Sequence, residues 1–226
     1  MALSNWVIFE TGAPAVGIVT AITHPAPITP ILGTGSLRIQ QFSVTESLIN
    51  MYRTGYAPSV IKGRFRSVIR CLGAAGITNY SLGFAIMQSQ LNLTGGSGSC
   101  YFAHLTVQNG GTLAKFIIRK FSGVGLLTNL SASTTLYTGS SLGTVLGTNI
   151  AVQVEWDAST IPTQCDITIR YALGTTSFGS LTLETTVSDT TSPLLTSSGE
   201  SIAVTNGTSS GATDFLVDST NLVSLL

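Results

Sequence analysis

Charge is scarce in this sequence. Lys, Arg, Asp and Glu make up 9% of its 226 residues, where soluble domains carry about 25%. Histidine occurs twice, as His24 and His104, too far apart in sequence for a zinc site of ordinary ligand spacing. Without a GxSxG turn around a serine, neither histidine belongs to a recognisable nucleophilic triad. The three cysteines, Cys71, Cys100 and Cys165, are odd in number and lack CxxC spacing, which argues against a disulfide scaffold and a zinc ribbon. They sit in apolar, strand-like runs, where free cysteine behaves as a small hydrophobe. No apolar run approaches the roughly 18 residues of a membrane span. Helix signals are confined to Thr45–Tyr52, where Thr or Ser can cap a turn or two. The residues after Met1 show no basic n-region or long apolar stretch, so a secretory signal peptide is not expected.

What is abundant is hydroxyl: Ser and Thr together number 59. A neutral, hydroxyl-rich surface repels its own copies weakly. It fits either a protein whose surface is committed to an assembly or a plain extracellular surface. The few charges are unevenly spread. Residues 1–120 hold nine of the ten Lys and Arg and two of the ten acids, a balance of +7, and the remainder balances at −7. On separate faces these halves favour ordered self-assembly or docking on a charged lattice; interleaved in one sandwich they neutralise each other.

Alternating or β-branched runs occur near 36–43, 62–71, 79–90, 99–108, 112–121, 149–157, 165–173, 179–187, 200–205 and 213–225. Turn signals such as Asn109-Gly110-Gly111 and Gly174-Thr175-Thr176 separate several of them. Many short strands at regular spacing predict an all-β chain: an antiparallel β-sandwich of the jelly-roll kind. A sandwich of this size buries enough core to stand without metal or disulfide. Residues 126–148, rich in Ser, Thr and Gly, read as loops around one weak strand. The stretch from Thr11 to Leu32 differs, carrying Pro14, Pro25, Pro27 and Pro30 and no charge between Glu10 and Arg38. Proline-spaced backbone cannot join a central ladder. We therefore expect residues 1–34 to form an N-terminal strand and an extended arm or long edge connection, lying on its own sandwich or on a neighbour, and residues 35–226 to form the sandwich.

No catalytic constellation is legible in the sequence. Glu155 and Asp157 stand at i and i+2, on one strand face, but Ser159 and Thr160 occupy the positions where sandwich glycosidases place a third carboxylate. The Gly95-Gly96-Ser97-Gly98 cluster precedes a strand and lacks the Lys-Ser/Thr of a phosphate loop. Asp189, Asp214 and Asp218 form no contiguous calcium loop. No catalytic residue, metal or cofactor is expected. Trp156 reads as a core or rim plug, and Tyr137 as a candidate for an exposed aromatic platform.

The densest charge is Lys62-Gly63-Arg64-Phe65-Arg66-Ser67-Val68-Ile69-Arg70. Strand alternation puts Lys62, Arg64, Arg66 and Arg70 on one face and Phe65, Ser67 and Ile69 on the other. Four cations on one face suit an acidic protein surface, or a face paired internally. With no aromatic residue interleaved, nucleic-acid binding is not favoured.

The order of these pieces resembles a known family. Trp6 with Phe9-Glu10-Thr11-Gly12, the strand Gly35-Ser36-Leu37-Arg38-Ile39, the pair Ala151–Trp156 and Ile167–Tyr171, and the closing Asp214-Phe215-Leu216-Val217-Asp218 are similar to the concanavalin A-like, laminin G-type jelly roll. Small, neutral, Thr/Ser-rich versions resemble bacteriophage virion proteins, either capsid cement subunits or tail-fibre modules. The resemblance implies a non-enzymatic virion protein assembled in a host cytoplasm, oligomeric and bound to the major capsid protein or other virion proteins. Its expected contacts are the arm residues Pro14, His24, Pro25, Pro27 and Pro30 and the basic strand residues Lys62, Arg64, Arg66 and Arg70. The alternative it implies is an adhesin that binds a host surface glycan.

Overall fold

Alternation decides which way each strand faces, and the segment from Lys62 to Cys71 shows it. Phe65, Ile69 and Cys71 are buried in the core while Lys62, Arg64, Arg66 and Arg70 stay half-buried on the opposite face. The computed structural model describes residues 6–11, 17–23, 35–41, 47–53, 60–74, 80–90, 98–108, 111–123, 132–206 and 213–224. Its strands are β1 (Trp6–Thr11), β2 (Gly17–Thr23), β3 (Gly35–Gln41), β4 (Ser47–Arg53), β5 (Lys62–Ala74), β6 (Tyr80–Gln88) and β7 (Cys100–Gln108). There follow β8 (Leu113–Phe121), β9 (Thr134–Thr138), β10 (Asn149–Asp157), β11 (Cys165–Leu173), β12 (Thr182–Asp189), β13 (Gly199–Asn206) and β14 (Thr213–Ser224). The first sheet runs β1-β4-β13-β6-β7-β8-β9 and the second β12-β11-β10-β5-β14-β3-β2. Every pairing between these strands is antiparallel. Among the described residues there is no α-helix, and the architecture is the antiparallel sandwich that the strand pattern predicts.

One expectation is corrected. The capped turn expected at Thr45–Tyr52 is strand β4, paired with β1 on one side and β13 on the other. Leu and Met favour helix locally, but Met51 is fully buried in the core opposite Ile202, and pairing on both edges overrides propensity. The proline-spaced segment also contributes a strand. Its proline-free window Gly17–Thr23 pairs along all of β3 as the edge of the second sheet, each residue from 17 to 23 carrying the N–H that a ladder needs. The N-terminal 34 residues thus put an edge strand in each sheet. Pro14, His24, Pro25, Pro27 and Pro30 lie outside the described residues.

The two sheets pack through one large core, with Phe65 of β5 stacked on Phe84 of β6 across the interface, ring centroids 4.5 Å apart. A smaller apolar cluster of Ala85, Cys100, Phe102, Phe121 and Ala203 is buried on the other face of the first sheet. All three cysteines are buried and unpaired. The oppositely charged halves interleave: basic β5 lies between β10 and β14, both from the acidic half, so their charges meet across neighbouring strands.

Candidate functional site

The outward face of the second sheet gathers the basic strand and its neighbours. Register places Lys62 opposite Asp157, Arg64 opposite Glu155, Arg66 opposite Gln153 and Arg70 opposite Asn149. Directly opposed side chains on an antiparallel pair are close enough to interact, and three of these four pairs do. Lys62 Nζ lies 2.8 Å from Asp157 Oδ2, Arg66 Nε donates to Gln153 Oε1, and Arg70 Nε donates to Asn149 Oδ1 at 2.6 Å. Gln153 Nε2 in turn donates to Glu155 Oε1 at 2.9 Å, and Arg170 Nε of β11 stands 4.0 Å from Glu155 Oε2. Val68 and Ala151, opposed and fully buried, interrupt the polar row. Beyond β14, Arg38 pairs with Asp214, and the Ser36 hydroxyl donates to Asp218.

Two features stand apart from this matching. Arg64 Nε is buried with no hydrogen-bond partner. Phe178, from the connection between β11 and β12, places its ring 5.4 Å from the Arg66 guanidinium carbon, within cation–π range. Burial, followed by the charge of Arg64, lowers the Arg66 pKa, with Glu155 acting in the opposite sense.

Glu155 and Asp157 share the outward face as their spacing predicts, and Trp156 between them is buried in the core. Asp157 closes the turn after β10, accepting from the backbone N–H groups of Ser159 and Thr160 and from both hydroxyls. Burial raises its pKa, but the hydrogen bonds from Lys62, Thr160 and Ser159 outweigh it and hold the carboxylate well below its usual range. A carboxylate so held is a poor proton donor.

The other residues singled out from the sequence are scattered. His104 is buried, stacked on Phe102 at 4.4 Å, with Nδ1 bonded to the Thr106 hydroxyl. Tyr137 packs half-buried against the core and donates its hydroxyl to Glu184, so it is no exposed platform. Asp189, Asp214 and Asp218 are engaged separately, by Lys120, Arg38 and Ser36. No group of three metal-ligating side chains is found among the described residues. Sequence reasoning missed Asn149, Gln153, Arg170 and Phe178. Asn149, Gln153, Glu155 and Asp157 follow the same alternation as the basic strand, which is the signal that identifies them. Phe178 has none, since a loop residue reaches a sheet face only by folding.

No protein-family model matches the sequence, and no curated protein is similar to it. Solved structures resemble it in fold. The lumenal domain of VIP36 in its Ca²⁺/Man3GlcNAc-bound form is 11% identical, with a TM-score of 0.51 over 99% of this chain and 87% of that one. An engineered GH43 glycoside hydrolase with endo-xylanase and exo-arabinofuranosidase activity is 16% identical, with a TM-score of 0.50 over 85% of this chain. This chain spans about a third of that hydrolase, 34% of its length. The shared feature is the β-sandwich fold.

Proposed function

We propose that this protein is a non-catalytic structural protein of a bacteriophage particle, a cement subunit whose sandwich adds cohesion to the head shell. The observation that carries the non-catalytic part is the pre-paired face of the second sheet. Asp157 is occupied by a lysine and a turn, and Glu155 by an amide and an arginine, so both acids of this face already have partners. The scarcity of charge, 9% of residues, supports a surface engaged in assembly. Because Lys62, Arg66 and Arg70 of β5 are matched within the sheet, shape and hydrogen bonding more than net charge would hold a partner there.

The test is the stoichiometry and position of the protein in intact particles, by quantitative mass spectrometry and cryo-electron microscopy of one sample. Hundreds of copies on the head are expected; a few copies at the tail, or none, would overturn the reading. Contact through the proline-spaced segment is better tested by Pro25→Ala and Pro27→Ala than by deleting residues 11–33, which would strip β2 from its sheet.

A second reading, glycan recognition, is favoured by one observation. Phe178, Arg66, Gln153, Glu155 and Arg170 place an aromatic ring beside planar polar groups on one face. Glycan-array binding lost in Phe178→Ala would support it, and a blank array with the wild-type protein would exclude it.

A further inference from the structure

The outward face of the first sheet carries a cleft. It has a volume of about 210 Å³ and is lined by Thr106, Gln108, Leu113, Ala114, Lys115, Gly139 and Ser141. Register puts Thr106 opposite Lys115 and Gln108 opposite Leu113, so four of these residues share one face of β7 and β8. The wall is a backbone device. Gly139 N–H donates to Phe116 O at 2.8 Å and Leu142 N–H donates to Ala114 O at 2.7 Å. Three residues on one side therefore span two on the other, and Ser141, within that excess, lines the cleft together with Lys115.

Lys115 gives the cleft its chemistry. Elsewhere Arg38, Lys62, Lys120 and Arg170 face carboxylates, and Arg66 and Arg70 face amides. Lys115 is half-buried and has no acidic or amide partner among the described residues. In a chain with so few charges, a partly desolvated ammonium without a counter-ion marks a place for an anion. Around it stand the Ser141 hydroxyl, the Gln108 amide and the exposed apolar side chain of Leu113, while the buried Thr106 hydroxyl beneath is already bonded to Ser81 and His104 Nδ1. The volume lies below the ~300–1,000 Å³ of drug-sized pockets, which suits one ring and not an oligosaccharide.

We propose that this cleft binds a single acidic sugar residue of the uronate type. Lys115 takes the carboxylate, Gln108 and the Ser141 hydroxyl take the ring hydroxyls, and Leu113 lies against the C–H face. The site is on the opposite sheet from the Phe178 face and does not depend on either reading of that face.

The probe is sodium glucuronate, titrated into the full chain and followed by isothermal calorimetry and saturation-transfer NMR, with glucose and acetate as controls. Saturable binding of glucuronate in the millimolar range is expected, with glucose and acetate each at least tenfold weaker. Lys115→Gln should lose at least tenfold in affinity while its thermal unfolding stays unchanged. Ser141→Val, at an exposed position, should weaken binding severalfold and serves if Lys115→Gln fails to fold. Acetate binding as well as glucuronate would overturn the sugar, glucose binding as well would overturn the acid, and no saturable binding or an unaffected Lys115→Gln would overturn the site.

Discussion

Tyr101 Oη donates to Asp189 Oδ2 at 2.7 Å, joining β7 of one sheet to β12 of the other inside the sandwich. The same carboxylate oxygen lies 2.7 Å from Lys120 Nζ, which also donates to the carbonyls of Thr191 and Ser192. Leu194 N–H donates to Tyr101 Oη, so the tyrosine hydroxyl both gives and accepts. This buried network fastens β12, an edge strand of the second sheet, and the chain that follows it, to the first.

Removing one partner of a buried ion pair leaves the other charge uncompensated, at a cost of about 3–5 kcal/mol. Lys120→Met and Asp189→Leu should each destabilise on that scale in urea unfolding, and the double variant should cost clearly less than the two summed. Additive losses would mean that the pair is not coupled.

Gly63 of β5 is held against Trp156 and Val60. A Cβ there would stand 2.5 Å from Trp156 Cζ2 and 2.7 Å from Val60 Cγ1, and the indole cannot withdraw freely because its Nε1 donates to the Val60 carbonyl at 2.8 Å. Gly63→Ala should therefore lower stability by about 1–3 kcal/mol, the usual cost of overpacking, with a shift in tryptophan emission. An unchanged unfolding midpoint and spectrum would contradict this packing.

Two buried groups give opposing pH dependences. Burial raises the Glu200 pKa from 4.5 to about 7, against the hydrogen bonds from Ser197 and the Val60 N–H. In the fold it keeps a proton that the unfolded chain releases. Its stabilisation is complete below pH 4.5 and is lost as pH rises through 7, at most about 3 kcal/mol. His104 runs the other way: burial, then the charge of Arg119, pushes its pKa well below 6.5. Its contribution is complete above pH 6.5 and is lost as pH falls. Subtracting the urea stability of Glu200→Gln from that of the wild type at each pH should give a difference that declines from pH 4.5 to 8. A flat difference would refute the Glu200 assignment.

The cysteines should be silent in the native state. Burial pushes the Cys71 and Cys165 thiols up to about 12 and raises Cys100 as well, and reactivity follows the thiolate. A chromogenic disulfide reagent at pH 8 should find no thiol in the folded protein and three in denaturant. Rapid reaction of any one before unfolding would contradict its burial.

How far the sequence speaks for itself differs between strand and site. Alternation at Lys62–Cys71 and Asn149–Asp157 determined which side chains face the core, because the side-chain period of a strand is a local property of the backbone. Composition and cysteine spacing likewise favoured a sandwich that needs no metal or disulfide. Strand β4 was hidden, since Leu48, Ile49 and Met51 fit a helix turn as well as a strand until β1 and β13 pair with them. Only the tertiary structure decided that Lys62 meets Asp157, that Arg66 meets Gln153 87 residues away, and that Phe178 reaches over that pair. The residues were legible and their partners were not, because face is written in local periodicity whereas register and strand order depend on contacts between segments distant along the chain.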